Sequence, residues 1–97
     1  MMNKLIKVSE FAKNDITESF NWYEEQKEDL GTEFINDLSA TISSIKSNPL
    51  QYQKIYKTTR RALLYTFKFG VFYSIHKNEI LIRRVLHTSR NPNEWKK

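Results

Sequence analysis

The chain has no cysteine, and only two glycines and two prolines among its 97 residues. Without cysteine there is no disulfide framework, no thiolate metal site and no cysteine nucleophile, a composition that suits a reducing compartment. So little glycine and proline excludes flexible linkers and collagen-like repeats. Apolar runs never approach the roughly 18 residues of a membrane span, and the opening "MMNKLIKVSEF" has no apolar stretch of signal-peptide length. The expected setting is therefore the cytoplasm, with no membrane contact. No glycine-rich phosphate loop occurs, and no serine stands in a nucleophile-elbow context. His76 and His87 lack carboxylate or cysteine partners at metal-ligand spacing, so neither a metal nor a cofactor is expected.

Hydrophobic residues make up 39% and aromatic residues 13% of the chain, enough for a folded core and too much for disorder. The length suits a single domain over residues 1–97. The net charge of +5 is unevenly spread. Residues 1–48 carry five Lys/Arg and nine Asp/Glu, a net of −4; residues 49–97 carry eleven Lys/Arg and two Asp/Glu, a net of +9. A basic half of this strength draws in phosphate or an acidic protein surface.

The periodicity changes along the chain. "KLIKV" (4–8) alternates and predicts a short first strand. Ser9 can cap the helix that follows, where Ala12, Ile16, Phe20 and Tyr23 recur on one face through about residue 27. "EDLGTE" (28–33) breaks the pattern, and Gly31 is expected to take positive φ there. A second helix is predicted from about 32 to 47, with Phe34, Leu38, Ile42 and Ile45 as its stripe and Ile35 beside it; Asn48-Pro49 ends it. Acids on both helices read as solvated faces. After Pro49, "RRALLYTF" (60–67), "GVFYSIH" (70–76) and "EILIRRVLH" (79–87) predict an antiparallel meander whose edge the first strand joins. The predicted fold is α+β, in the order β-α-α-β-β-β, with a helical hairpin packed on a twisted antiparallel sheet.

The candidate functional residues lie in the basic half. Arg60 and Arg61 are adjacent in one strand, and Arg83 and Arg84 in another, so the alternation of strand side chains sends one of each pair to either face. Arg90, His87 and Trp95 follow in the ending "RRVLHTSRNPNEWKK". Guanidinium groups bind phosphate in a bidentate way. A histidine among arginines is held neutral by like charge and could take a proton from a ribose hydroxyl, while arginines stabilise the developing charge. Tyr65, Tyr73 and Trp95 could stack on bases. Each feature also has a plainer reading: Tyr73 and Trp95 as packing, His87 as a strand-end cap, and the arginine pairs as an interface for an acidic protein.

The ordered segments "FAKNDITESFNWYEEQKEDLGTEF" (11–34), "SIKSNPLQY" (44–52), "RRALLYTFKFGVFYSI" (60–75) and "VLHTSRNPNEW" (85–95) resemble the RelE/ParE superfamily, the toxins of type II toxin–antitoxin pairs, also called plasmid-stabilisation proteins. The resemblance implies a helical hairpin on a twisted antiparallel sheet and a cognate antitoxin that folds a segment onto the toxin. It also implies a homodimer or a heterotetramer with that antitoxin. RelE-like members cut messenger RNA on the ribosome, whereas ParE-like members poison DNA gyrase. Arg61 matches a basic strand position of the ribonucleases and His87 a region where some carry an acid–base residue. Gly70, however, stands where many carry a phosphate-binding arginine, and Trp95 near a terminal tyrosine. The ending H-x-x-R-x-P-x-x-W resembles the ParE-like branch. The expected function is accordingly a ParE-like toxin acting on gyrase, with Arg60, Arg61, Arg83, Arg84 and Arg90 facing the target. The alternatives are a metal-independent, ribosome-dependent endoribonuclease with His87 and Arg61 catalytic, and a degenerate member that binds antitoxin without toxicity.

Overall fold

The computed structural model describes residues 5–89. Strand β1 (Leu5–Val8) leads into Ser9, whose Oγ accepts the Ala12 N–H at 3.0 Å and caps helix α1 (Glu10–Gln26). The same hydroxyl donates to the Arg83 carbonyl at 2.7 Å, so one side chain starts the helix and ties it to the sheet. Helix α2 (Leu30–Ser47) returns antiparallel to α1. Its buried positions Phe34, Leu38, Thr41 and Ile45 advance by four, three and four residues, the spacing of a single helical face. Thr41 takes the central place in that stripe; its hydroxyl is satisfied by the Asp37 carbonyl at 3.0 Å, and Ile35 and Ile42 flank it.

The turn between the helices differs from expectation. Positive φ falls on Asp29, at 70°, and Gly31 lies inside α2. Glycine is needed at 31 for closeness: a Cβ there would stand 2.8 Å from both the Phe20 carbonyl oxygen and the Phe20 ring, and 2.7 Å from Glu24 Cγ. The Gly31 N–H also donates to Glu24 Oε1 at 2.7 Å. The residue serves helix–helix approach rather than chain reversal.

Both helices cover one face of a five-stranded sheet in the order β1-β5-β4-β3-β2. Strands β3 (Thr59–Leu63), β4 (Phe69–His76) and β5 (Glu79–His87) form the expected meander. Two features were not expected. A three-residue strand, β2 (Lys54–Tyr56), pairs with β3, and β1 runs parallel to β5, so the sheet is mixed rather than wholly antiparallel. β3 also stops at Leu63 instead of continuing to Phe67. The Asp37 carboxylate accepts the N–H groups of Tyr65, Thr66 and Phe67 at 3.1, 2.8 and 2.8 Å, which takes those amides out of any ladder.

Cross-strand pairs in an antiparallel ladder share a face. Phe69, Val71, Tyr73 and Ile75 on β4, with Ala62, Ile80, Ile82 and Val85 opposite them, therefore face the helices and join Phe34, Leu38 and Ile45 in the core. Gly70, Phe72, Ser74 and His76 face the other way. Arg83 is an extra residue in β5, because Phe72 pairs with Arg84 while Tyr73 pairs with Ile82. Such a bulge lets both flanking stretches keep their apolar residues inward.

Candidate functional site

The four arginines of the two pairs meet four different fates. Arg60 shares a register position with core-facing Tyr73 and lies half-buried; its guanidinium donates to the Tyr52 carbonyl at 2.6 Å and the Leu50 carbonyl at 3.4 Å. It staples β3 to the loop that follows α2. Arg61 stands opposite Phe72 on the outer face and is exposed. Its stem lies over Gly70, where an added Cβ would meet Arg61 Cγ and Cδ at 3.2 and 3.3 Å. The bare backbone at Gly70 is thus the seat on which Arg61 rests.

Arg83, at the bulge, is half-buried. Arg84 is buried at 9% exposure. Its Nε and Nη2 donate to Asp15 Oδ2 and Oδ1 at 2.8 and 2.9 Å, a bidentate pair, and its guanidinium carbon sits 5.5 Å from the Phe11 ring centre. Asp15 Oδ2 also accepts the Val85 N–H at 3.0 Å. The topology explains this arrangement. β1 covers the edge of β5 only as far as Ile82, and beyond that point Ser9 and Asp15 supply the partners a strand would have given. An acid that reads as part of a solvated helix face is thus 8% exposed and binds α1 to β5. Its place one turn after buried Ala12, on the stripe, was the available signal.

His87 pairs with Phe69 and so lies on the helix side of the sheet, opposite to Arg61. Its ring meets Phe69 edge-on at 5.3 Å between centroids. Nδ1 accepts the Ser89 N–H at 3.1 Å and lies 2.7 Å from the Ser89 hydroxyl. A nitrogen that accepts from a backbone amide carries no proton, so in the neutral ring the proton sits on Nε2. Arg61 and His87, the pair that cleavage chemistry would need together, project from opposite faces. Arg90 and Trp95 lie outside the described residues.

Tyr73 is fully buried and donates to the Pro49 carbonyl at 2.6 Å. Burial pushes its phenol up to about 12, against the opposing charge of Arg60 and with a further push from Tyr52. It is a core residue, closed to base stacking. Tyr65, by contrast, is 72% exposed beside exposed Leu63 and Lys68. Leu63 pairs with Gly70 and so shares the outer face with Arg61, and both are exposed. The one acid of the described basic half, Glu79, is already paired with Lys7 at 3.2 Å.

Among the described residues, no group of three His, Cys, Asp or Glu side chains could hold a metal ion, and no helix is long and apolar enough to cross a membrane. Over residues 6–92 the chain matches the family model described as the ParE toxin of type II toxin-antitoxin system, parDE. No curated protein matches it. Among solved structures it is similar to a chain of the chromosomal ParDE TA system from P. aeruginosa. The identity is 15% and the TM-score 0.77, with 87% of this chain and 95% of that one covered. That likeness is one of fold.

Proposed function

The chain belongs to the ParE toxin family of type II toxin–antitoxin systems, and from that premise we propose that it acts on DNA gyrase by binding, with no bond-breaking chemistry of its own. The observation that carries this reading is the separation of Arg61 and His87 on opposite faces of the sheet. General acid–base cleavage requires the base and the charge-stabilising group to converge on one reacting phosphate. Arg84, a further cation such a site would draw on, is committed to Asp15. On the outer face the described residues offer exposed Arg61 and exposed Leu63, a cation next to apolar surface that suits a protein or protein–DNA complex.

The same reading places the chain in the cytoplasm and gives it a cognate antitoxin, as a homodimer or a heterotetramer with that partner. The test is a gyrase supercoiling and DNA-cleavage assay with the purified toxin. Cleaved or unresolved DNA should accumulate, the effect should weaken as salt rises from 50 to several hundred millimolar, by about the screening expected of exposed charges, and Arg61→Glu should abolish it. Gyrase that supercoils normally at saturating toxin would sink the proposal.

A further inference from the structure

Residues 49–78 contain six Lys/Arg and not one Asp or Glu, and the fold gathers part of that charge at one end of the sheet. Arg60 pairs with Tyr73 in the β3–β4 ladder, and His76 pairs with Glu79 in the β4–β5 ladder. The start of β3 and the end of β4 are therefore neighbours, and so are the turns attached to them. One turn is Lys57-Thr58, between paired Tyr56 and Thr59; the other is Lys77-Asn78, between His76 and Glu79. All four turn residues are exposed, as is His76. The two turns lie two strand spacings apart, ~10 Å.

Both turns depart from ordinary turn chemistry in the same way. Two-residue hairpin loops favour positive φ at the first position, which glycine, asparagine and aspartate adopt readily and long side chains rarely do. Here that position is lysine in each, Lys57 at φ 49° and Lys77 at φ 55°. Asp29 is the one other non-glycine residue with positive φ among the described residues. A costly backbone held twice, at the same end of the sheet and by the same residue type, points to a use for the two ammonium groups.

The surroundings favour a phosphate backbone over a protein surface as what those groups meet. Protein interfaces centre on apolar and aromatic anchors and are poor in lysine. Each turn instead joins a lysine to a short polar side chain, Thr58 or Asn78, and phosphate oxygens accept hydrogen bonds from all three residue types. Exposed Leu63 lies at the far end of β3. Lys57 Nζ stands 5.3 Å from the centre of the Tyr56 ring, which orients the charge without neutralising it. The acid nearest to Lys77 along the chain, Glu79, is already paired with Lys7 at 3.2 Å.

We propose that this end of the sheet binds the sugar–phosphate backbone of duplex DNA, without regard to sequence, through Lys57 and Lys77. The inference goes beyond the gyrase reading and does not depend on it, because the chain alone binds the DNA.

The test follows the fluorescence anisotropy of a labelled duplex of arbitrary sequence as the purified 97-residue chain is added at increasing salt. Micromolar binding is expected at roughly 50 mM salt, with equal affinity for a second, unrelated duplex. Lys57→Gly combined with Lys77→Gly should lower the slope of log affinity against log salt by about 2 and weaken binding at least tenfold. Glycine suits the positive φ, so this variant should melt at or above the wild-type temperature. Lys57→Arg with Lys77→Arg keeps both charges and should keep the slope. Lys13→Ala with Lys27→Ala removes the same charge from the helical side and should leave the slope unchanged. Failure of the wild type to bind either duplex at low salt would overturn the proposal, and binding of polyglutamate instead would assign the turns to an acidic protein. An unchanged slope in the glycine variant, or an equal fall in the helix variant, would overturn it as well. The gyrase assay is read separately, so each reading can fail while the other holds.

Discussion

Arg61 and Arg84 flank Phe72 in a single cross-strand row, one on β3 and one on β5, yet they do opposite things. Arg84 is buried and locked to Asp15 in a bidentate pair; Arg61 is exposed over a glycine with no acid beside it among the described residues. The strand positions are equivalent, so the difference comes from what lies beyond the sheet edge. β5 runs on past the end of β1, and α1 fills the gap with a carboxylate. β3 lies two strands away, second from the opposite edge of the sheet. An arginine in a strand is therefore read by its neighbours at the edge, and a doublet in sequence need not be a doublet in function.

Four changes test this contrast. The largest effect is expected at Asp15. Asp15→Ala strands the buried Arg84 charge and frees the Val85 amide, and should destabilise the fold by about 3–5 kcal/mol in urea unfolding. Replacing both partners by apolar residues of similar size should recover most of that loss, since the pair itself stabilises little beyond its own desolvation. A second helix acid also holds backbone amides: Asp37→Ala releases three loop amides and should cost about 2 kcal/mol.

Tyr73→Phe loses the bond to Pro49 and should cost about 1 kcal/mol near neutral pH. This site also sets a pH dependence. The folded phenol sits near 12, above its ordinary value of 10, so folding favours the protonated form. The stabilisation is complete below pH 10 and is lost as pH rises through about 12. Wild type should therefore lose stability over that window more steeply than Tyr73→Phe in chemical denaturation at graded pH. The smallest stability effect is expected at Arg61: Arg61→Ala should change unfolding free energy by no more than about 0.5 kcal/mol while removing toxicity. A large destabilisation there would erase the contrast with Arg84.

The order of elements could be read from periodicity, because long apolar stripes and alternating runs dominate local choices. The misses have physical causes. β2 is three residues with a shifted register, too short to show alternation. β3 was expected to reach Phe67, but Asp37, 28 residues earlier than Tyr65, captures the loop amides. A glycine near a helix end, such as Gly31, resembles a cap in sequence, whereas the contact that requires it comes from Phe20 on the other helix. At the site, a basic second half was legible from charge counts. Which arginine faced outward was not, because register, bulge and edge cover are tertiary facts. His87 could be placed at the end of its strand, but not on the face opposite Arg61.

The claim that this surface binds rather than cleaves is tested most directly in a defined translation reaction, by mapping the 3′ ends of the message after adding purified toxin. Intact message with normal translation is the predicted result. Discrete cuts at ribosome-occupied codons, lost in His87→Ala or Arg61→Ala with the fold preserved, would contradict it and make the two faces parts of one catalytic site.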